Sequence, residues 1–198
     1  MEDKTELIIN TAQKRFGLYG AEKTTMREIA DDLHMSKASL YYYFPDKENL
    51  YAAVIRKEQI EFLKKLEEDI RIVSDPALCL RKYALTRLSY FKTLLNLSRI
   101  KFTSLSGLKP KIVSSMINFR EEEMRLIANV LEKGKESGQF TFGDTSRTAT
   151  LFLDLLRGLR SGFIADKDFL IIDDTEYEML SEKVTDITEI FVNGLMYK

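Results

Sequence analysis

The sequence predicts an all-α protein. Apolar residues recur at three- and four-residue steps in segment after segment, the period of a helix with one buried face. No stretch alternates apolar and polar residues long enough to make a strand. Three Pro and nine Gly among 198 residues leave little room for long loops.

The first helix starts near Asp3, which pairs with Glu6 at capping-box spacing, and carries Ile8, Ala12, Phe16 and Tyr19 down one face to a stop at Gly20. Thr25 and Glu28 are spaced as a capping box for a second helix, with Ile29, Ala30 and Leu33 inward. Ser36 is a natural N-cap for a third, whose Leu40 and Phe44 stand four apart on one side. Pro45 ends it and Asp46 caps the fourth, which runs to about Val73 before Ser74-Asp75-Pro76. Beyond that break the pattern predicts helices over about 76–96, 97–106, 111–137, 144–164 and 176–196. Gly107 and Pro110 punctuate the middle, Ser137-Gly138-Gln139 forms a turn, and a loop over 165–175 contains Phe169-Leu170-Ile171-Ile172.

Composition narrows the function. At 44% hydrophobic and 31% charged residues the chain is an ordinary folded protein. Its net charge of −1 provides no overall field for nucleic acid. The first 57 residues hold nine Lys/Arg and nine Asp/Glu, so the placement of charge matters more than its sum. Cys79 is the only cysteine, which excludes an intrachain disulfide and suits a small buried residue in a reducing compartment. The N-terminus is amphipathic and acidic where a signal peptide is basic and then apolar, and no apolar run approaches the ~18 residues of a membrane span; a cytoplasmic protein is expected. There is no HExxH, phosphate loop, cysteine pair or nucleophile elbow, and one histidine offers no metal spacing. Neither enzyme activity nor a cofactor is expected.

Residues 24–50, TTMREIADDLHMSKASLYYYFPDKENL, have the layout of a helix-turn-helix, in which one helix braces and the next lies in the major groove of double-stranded DNA. A recognition helix exposes polar groups at its N-terminal end, where Ser36, Lys37, Ala38 and Ser39 sit. Lys37 can donate to guanine O6 or N7, Ser39 can donate or accept, and the Ala38 methyl can touch a thymine methyl. Tyr41 and Tyr42 cannot both turn inward with Leu40 and Phe44, so at least one hydroxyl faces outward at the distance of a phosphate. Lys47, in the first turn of the fourth helix, occupies a position that favours an anion, and Thr24, Thr25 and Arg27 sit similarly at the start of the second helix.

These segments closely resemble the TetR/AcrR family of one-component transcriptional repressors. The likeness rests on Phe16–Gly20, Thr24–Ala30, Ser36–Phe44 and Asp46–Leu50 and covers about residues 5–55. It implies that residues aligned with Lys37, Ala38, Tyr41 and Tyr42 contact DNA, while those aligned with Thr25, Arg27, Tyr43 and Lys47 help hold the backbone. The chain departs from the family at His34, where glycine is common between the two helices. If that turn needs φ > 0, histidine is strained there by roughly 1 kcal/mol.

One recognition helix reads few base pairs, so a symmetric pair on a roughly palindromic site is expected. A dimer neutralising about six phosphates loses roughly five log units of K per log unit of salt. Two stripes suit a homodimer face built as an intersubunit four-helix bundle: Leu151, Leu155, Gly158, Leu159 and Gly162, then Tyr177, Leu180, Val184, Ile187 and Phe191. The resemblance implies the same use of the last two helices. The expected domains are 1–50 for DNA and 51–198 for dimerisation and a small-molecule effector. By the same resemblance the middle helices form a chamber, and Arg87, Tyr90, Phe91, Arg99, Phe102, Met116, Phe119 and Met124 are its candidate lining, suited to an apolar or amphipathic ligand. Two alternatives remain open: a ligand-independent DNA-binding scaffold that recruits a protein partner, and a carrier or enzyme with a vestigial helix-turn-helix.

Overall fold

The computed structural model describes residues 3–93, 110–164 and 173–196, with side chains through Tyr90 in the first segment and Gly162 in the second. The helix expected over 97–106, the apolar run Phe169–Ile172, Arg99, Phe102 and the Phe91 side chain lie outside the described residues. Among those described there are eight helices: α1 Lys4–Tyr19, α2 Met26–Asp32, α3 Lys37–Tyr43, α4 Lys47–Arg71, α5 Pro76–Thr93, α6 Pro110–Glu136, α7 Thr145–Ile164 and α8 Asp174–Leu195. None is long and apolar enough to cross a membrane.

Two compact units emerge. The first takes in the chain to Glu61 and the start of α6 through Met116; the second takes in Phe62–Thr93 and the residues from Ile117 onward. The first unit forms around Ile8, Ala12 and Phe16 of α1, Met26, Ile29 and Ala30 of α2, Leu40 of α3, Phe44, and Leu50 and Val54 of α4. A seven-residue helix such as α3 is not stable alone. It persists because Leu40 is fully buried and because Ser36 Oγ accepts from the Ser39 N–H, a cap worth about 1 kcal/mol.

The caps at Thr25 and Asp46 form as the sequence predicts: Thr25 and Glu28 make the reciprocal box, and Asp46 Oδ1 accepts from Asn49 N at 2.7 Å. Asp3 caps α1 by accepting from Thr5 N rather than by pairing with Glu6. Tyr19, counted with the inner face of α1, lies outward beneath the Arg15 guanidinium, 5.4 Å from the ring centroid, because the inward face ends at Phe16 and Gly17. Helix α8 starts earlier than the apolar period suggests, since Asp173 and Glu176 form a second complete capping box.

His34 has φ 52°. Around it His34 N donates to Asp31 O and Met35 N to Ala30 O, the paired bonds of a Schellman stop with His34 in the left-handed position that favours glycine. His34→Gly is therefore expected to stabilise the fold by about 0.5–1 kcal/mol, read as a higher urea midpoint at unchanged m-value.

In the second unit α8 packs against α5 and α7. Arg81 of α5 meets Glu189 of α8 through both Nε and Nη2, at 2.5 and 2.8 Å. Phe62, Tyr83, Phe119 and Phe152 are among the largest fully buried side chains. Gly134 admits the Phe140 ring so closely that a Cβ there would lie 2.0 Å from it, and Thr141 N then donates to Leu195 O, tying that turn to the end of α8.

Candidate nucleic-acid interface

Helix α3 turns Leu40 inward, and everything the sequence assigns to base reading turns outward. Lys37, Ala38, Ser39, Tyr41 and Tyr42 are all exposed, Tyr42 by 86%. The Lys37 ammonium stands 5.6 Å from the centroid of the Tyr41 ring, and the Ser36 and Ser39 hydroxyls share a hydrogen bond of 2.8 Å at the helix tip. Tyr43 is half-buried against the core and meets Tyr42 edge-on at 5.4 Å. The helix thus presents a cation, a methyl, hydroxyls and two phenols on a convex edge, the mixture that reads base edges and phosphates.

The bracing is equally specific. Arg15 of α1 reaches α2, with Nη1 2.6 Å from Asp32 and Nη2 3.2 Å from Glu28. The hydrogen bond from Thr25 N–H, then that from its hydroxyl, holds the Glu28 carboxyl below its usual range. Arg27 is exposed and only 3.9 Å from Asp31 in a loose pair, so its charge remains accessible. Thr24 is buried and its hydroxyl donates to Gly20 O at 2.9 Å, while Thr25 serves as the cap of α2. Lys47 is engaged with backbone carbonyls of the loop before α2. Of the residues assigned to DNA, Thr24, Thr25, Ser36 and Lys47 therefore have intramolecular work. Arg15 carries no local motif, because its partners lie in another helix.

The second unit distributes its predicted residues unevenly. On α7, Leu151, Leu155, Gly158 and Gly162 are exposed and Leu159 is half-buried. On α8, Leu180 and Val184 are buried in the unit's own core, Phe191 packs on Phe152 at 4.7 Å, and Tyr177 and Ile187 are half-buried. The outward apolar positions of α8 are Met179 and Ile190, which the sequence reading passed over because the more regular stripe is the interior one. A Cβ built at Gly158 or Gly162 meets nothing within 4 Å, and the two glycines line an open hollow of about 470 Å³ with Leu159 and Lys183.

The expected effector residues that are described sit in packed surroundings. Phe119 and Tyr90 both pack edge-on against Phe62, at 5.4 and 5.5 Å. Met116, in the first unit, accepts from Gln59 Nε2 through its sulfur, and Met124 lies near the Thr150 hydroxyl. Arg87 is buried and donates from Nε to Glu123 Oε1 at 2.7 Å, and Tyr83 Oη donates to the same oxygen at 2.9 Å. Burial, then the charge of Glu123, pushes the Tyr83 phenol well up. Burial, the largest single effect, lowers Arg87, but Glu123 and Tyr83 together outweigh it and the guanidinium is held above its ordinary value. Arg160 is pushed down to about 10, by burial first and then by the charge of Arg87. Arg87 and Arg160 border a void of about 10 Å³ with Ala84, Leu88, Leu156 and Val184, room for about one water.

Residues 8–54 match the family model for bacterial regulatory proteins of the tetR family. Over nearly its whole length the chain is similar to a transcriptional regulator from Cytophaga hutchinsonii ATCC 33406, with 37% identity and a TM-score of 0.85, covering 98% of this chain and 99% of that one. The HTH-type transcriptional regulator RutR of Escherichia coli O157:H7 is 29% identical over 139 residues, which is 67% of this chain but only 64% of RutR, under two thirds of that relative's length. FadR of Bacillus subtilis, solved in complex with stearoyl-CoA, shares the fold at 18% identity, with a TM-score of 0.74 over 97% of this chain and 100% of FadR. With a helix-turn-helix of matching sequence and a full-length likeness above 30% identity, the chain belongs to the tetR family of bacterial regulatory proteins.

Proposed function

We propose that this protein is a homodimeric repressor of palindromic operators, with residues 1–50 for DNA and 51–198 for dimerisation and effector binding. The observation that carries this reading is the outward face of α3, where Lys37, Ala38, Ser39, Tyr41 and Tyr42 are all exposed on a helix held by caps and by Leu40. In each subunit α3 enters a major groove, and the two helices are set about 34–36 Å apart by the dimer. The dimer face is the outward side of α7 and α8. Exposed Leu151 and Leu155, Met179 and Ile190, beside two glycines with open space, form an apolar strip that a second copy covers at close backbone approach.

Gly158→Arg tests that face, since Gly158 is exposed and a Cβ there meets nothing within 4 Å among the described residues. The variant is expected to sediment as a folded monomer and to bind a two-half-site duplex at least about a hundredfold more weakly, because the avidity of two linked sites is lost. A dimer of unchanged affinity contradicts the assignment.

The effector is a small amphipathic or apolar molecule, a reading supported by the shared fold with FadR, whose crystal structure holds stearoyl-CoA. A ligand switches the protein only if it discriminates between conformers with different spacing of the α3 helices, and a hundredfold loss of affinity corresponds to about 2.7 kcal/mol of coupling. Stearoyl-CoA is the first probe: binding raises the thermal midpoint and weakens duplex binding together. The packed surroundings of Phe119 and Arg87, with Leu78 and Leu85 exposed on α5, favour a second reading in which α5 recruits a protein partner and no effector is needed. In that case no small molecule shifts duplex affinity.

A further inference from the structure

Lys47 opens α4, where a cation beside free helix N–H groups reads from sequence as a phosphate contact. Its surroundings say otherwise. Lys47 Nζ donates to Ala21 O at 2.8 Å, to Thr24 O at 3.0 Å and to Glu22 O at 3.4 Å. An ammonium has three N–H donors and no more, and here three carbonyls face them. All three belong to the loop between α1 and α2, whose backbone oxygens have no helical ladder to satisfy them. The same loop is held from within by Thr24, whose hydroxyl returns to Gly20 O, and it ends at Thr25, the cap from which α2 begins.

We propose that Lys47 is a positioning residue: its ammonium clamps the α1–α2 loop to the start of α4, sets where α2 begins and so how α3 is presented, and grips no phosphate. The proposal rests on the reading that α3 meets DNA. The convergence of the carbonyls suits a compact ammonium. A planar guanidinium is larger and carries its donors in a fixed fork, so arginine does not reproduce the contact, although it is an excellent phosphate ligand. A phosphate contact and a clamp therefore predict opposite behaviour for the conservative variant.

The test uses the full chain and a duplex selected by the wild-type protein from a random pool. Lys47→Met is expected to weaken binding about tenfold or more with the slope of log K against log salt unchanged, because no released counterion depended on it. Lys47→Arg is expected to fail to rescue that loss. A slope shallower by about two for the dimer, with affinity retained in Lys47→Arg, overturns the proposal. A measurement on the unaltered protein keeps it falsifiable if the variants unfold: acetylation of each lysine, read by mass spectrometry with and without duplex. Lys47 is expected to react more slowly than Lys37 in the free protein and to be unaffected by duplex, whereas Lys37 becomes protected. A Lys47 that reacts like Lys37 when free and is shielded only by DNA overturns the clamp. If the wild type binds no duplex, the DNA reading fails, while the free-protein labelling rates still decide whether the clamp exists.

Discussion

Combining Lys37→Ala with Tyr42→Phe is expected to abolish selective duplex binding while leaving the thermal midpoint nearly unchanged. Both side chains are exposed on α3 and neither contributes to the core around Leu40, so the folded unit has little to lose. The interface has much to lose. A good contact between a side chain and a base discriminates by about 1–3 kcal/mol, and symmetry doubles it to about 2–6 kcal/mol for Lys37 alone. The two changes separate by kind. Lys37→Ala relaxes preference at one base position in each half-site and makes the salt slope shallower. Tyr42→Phe removes an exposed hydroxyl that the proposed docking sets against a phosphate, and is expected to weaken all duplexes alike. Competition between selected and random duplexes, repeated across salt concentrations, measures both.

Glu123→Ala carries the largest expected cost to stability. Its carboxylate is buried and receives both Tyr83 Oη and Arg87 Nε, and its charge offsets a guanidinium that also faces Arg160. Removing one member of a buried ion pair costs about 3–5 kcal/mol, because the surviving charge remains in a low-dielectric interior. Against a total stability of about 5–15 kcal/mol that is a large fraction, and in a protein of this size it lowers the thermal midpoint by about 6–20 °C. Replacing Arg87 and Glu123 together by leucine is expected to recover much of the loss, since the burial cost of both charges disappears. A single variant as stable as the wild type shows that water reaches this centre freely and that the pair is not sealed in the core. The change lies in the second unit, so the α3 face stays intact.

The recognition unit was legible because its determinants are local. Thr25 with Glu28, Ser36 with Ser39, and the inward Leu40 act within a few residues of one another, and the positive φ expected at His34 follows from the turn alone. The contacts of Lys47 are not legible in the sequence, because its partners are backbone oxygens more than twenty positions away in a loop, and carbonyls leave no mark there. Arg87 and Glu123 stand 36 apart, and their pairing follows from how α5 and α6 pack. The regular stripe of α8 was visible, but periodicity alone does not say which partner a stripe faces. Leu180 and Val184 turn to α8's own unit, leaving Met179 and Ile190 outside. The apolar period of α8 places its start near Glu176, whereas the capping box of Asp173 with Glu176 sets it at Asp174.

Footprinting of the wild-type protein on a duplex it selects, with affinity followed across salt concentration, tests the central claim most directly. The account predicts two protected patches centred about one helical turn, 10–10.5 base pairs, apart, related by a twofold axis, and about five log units of affinity lost per log unit of salt. Uniform or absent protection, with affinity indifferent to salt and to Lys37→Ala, contradicts it.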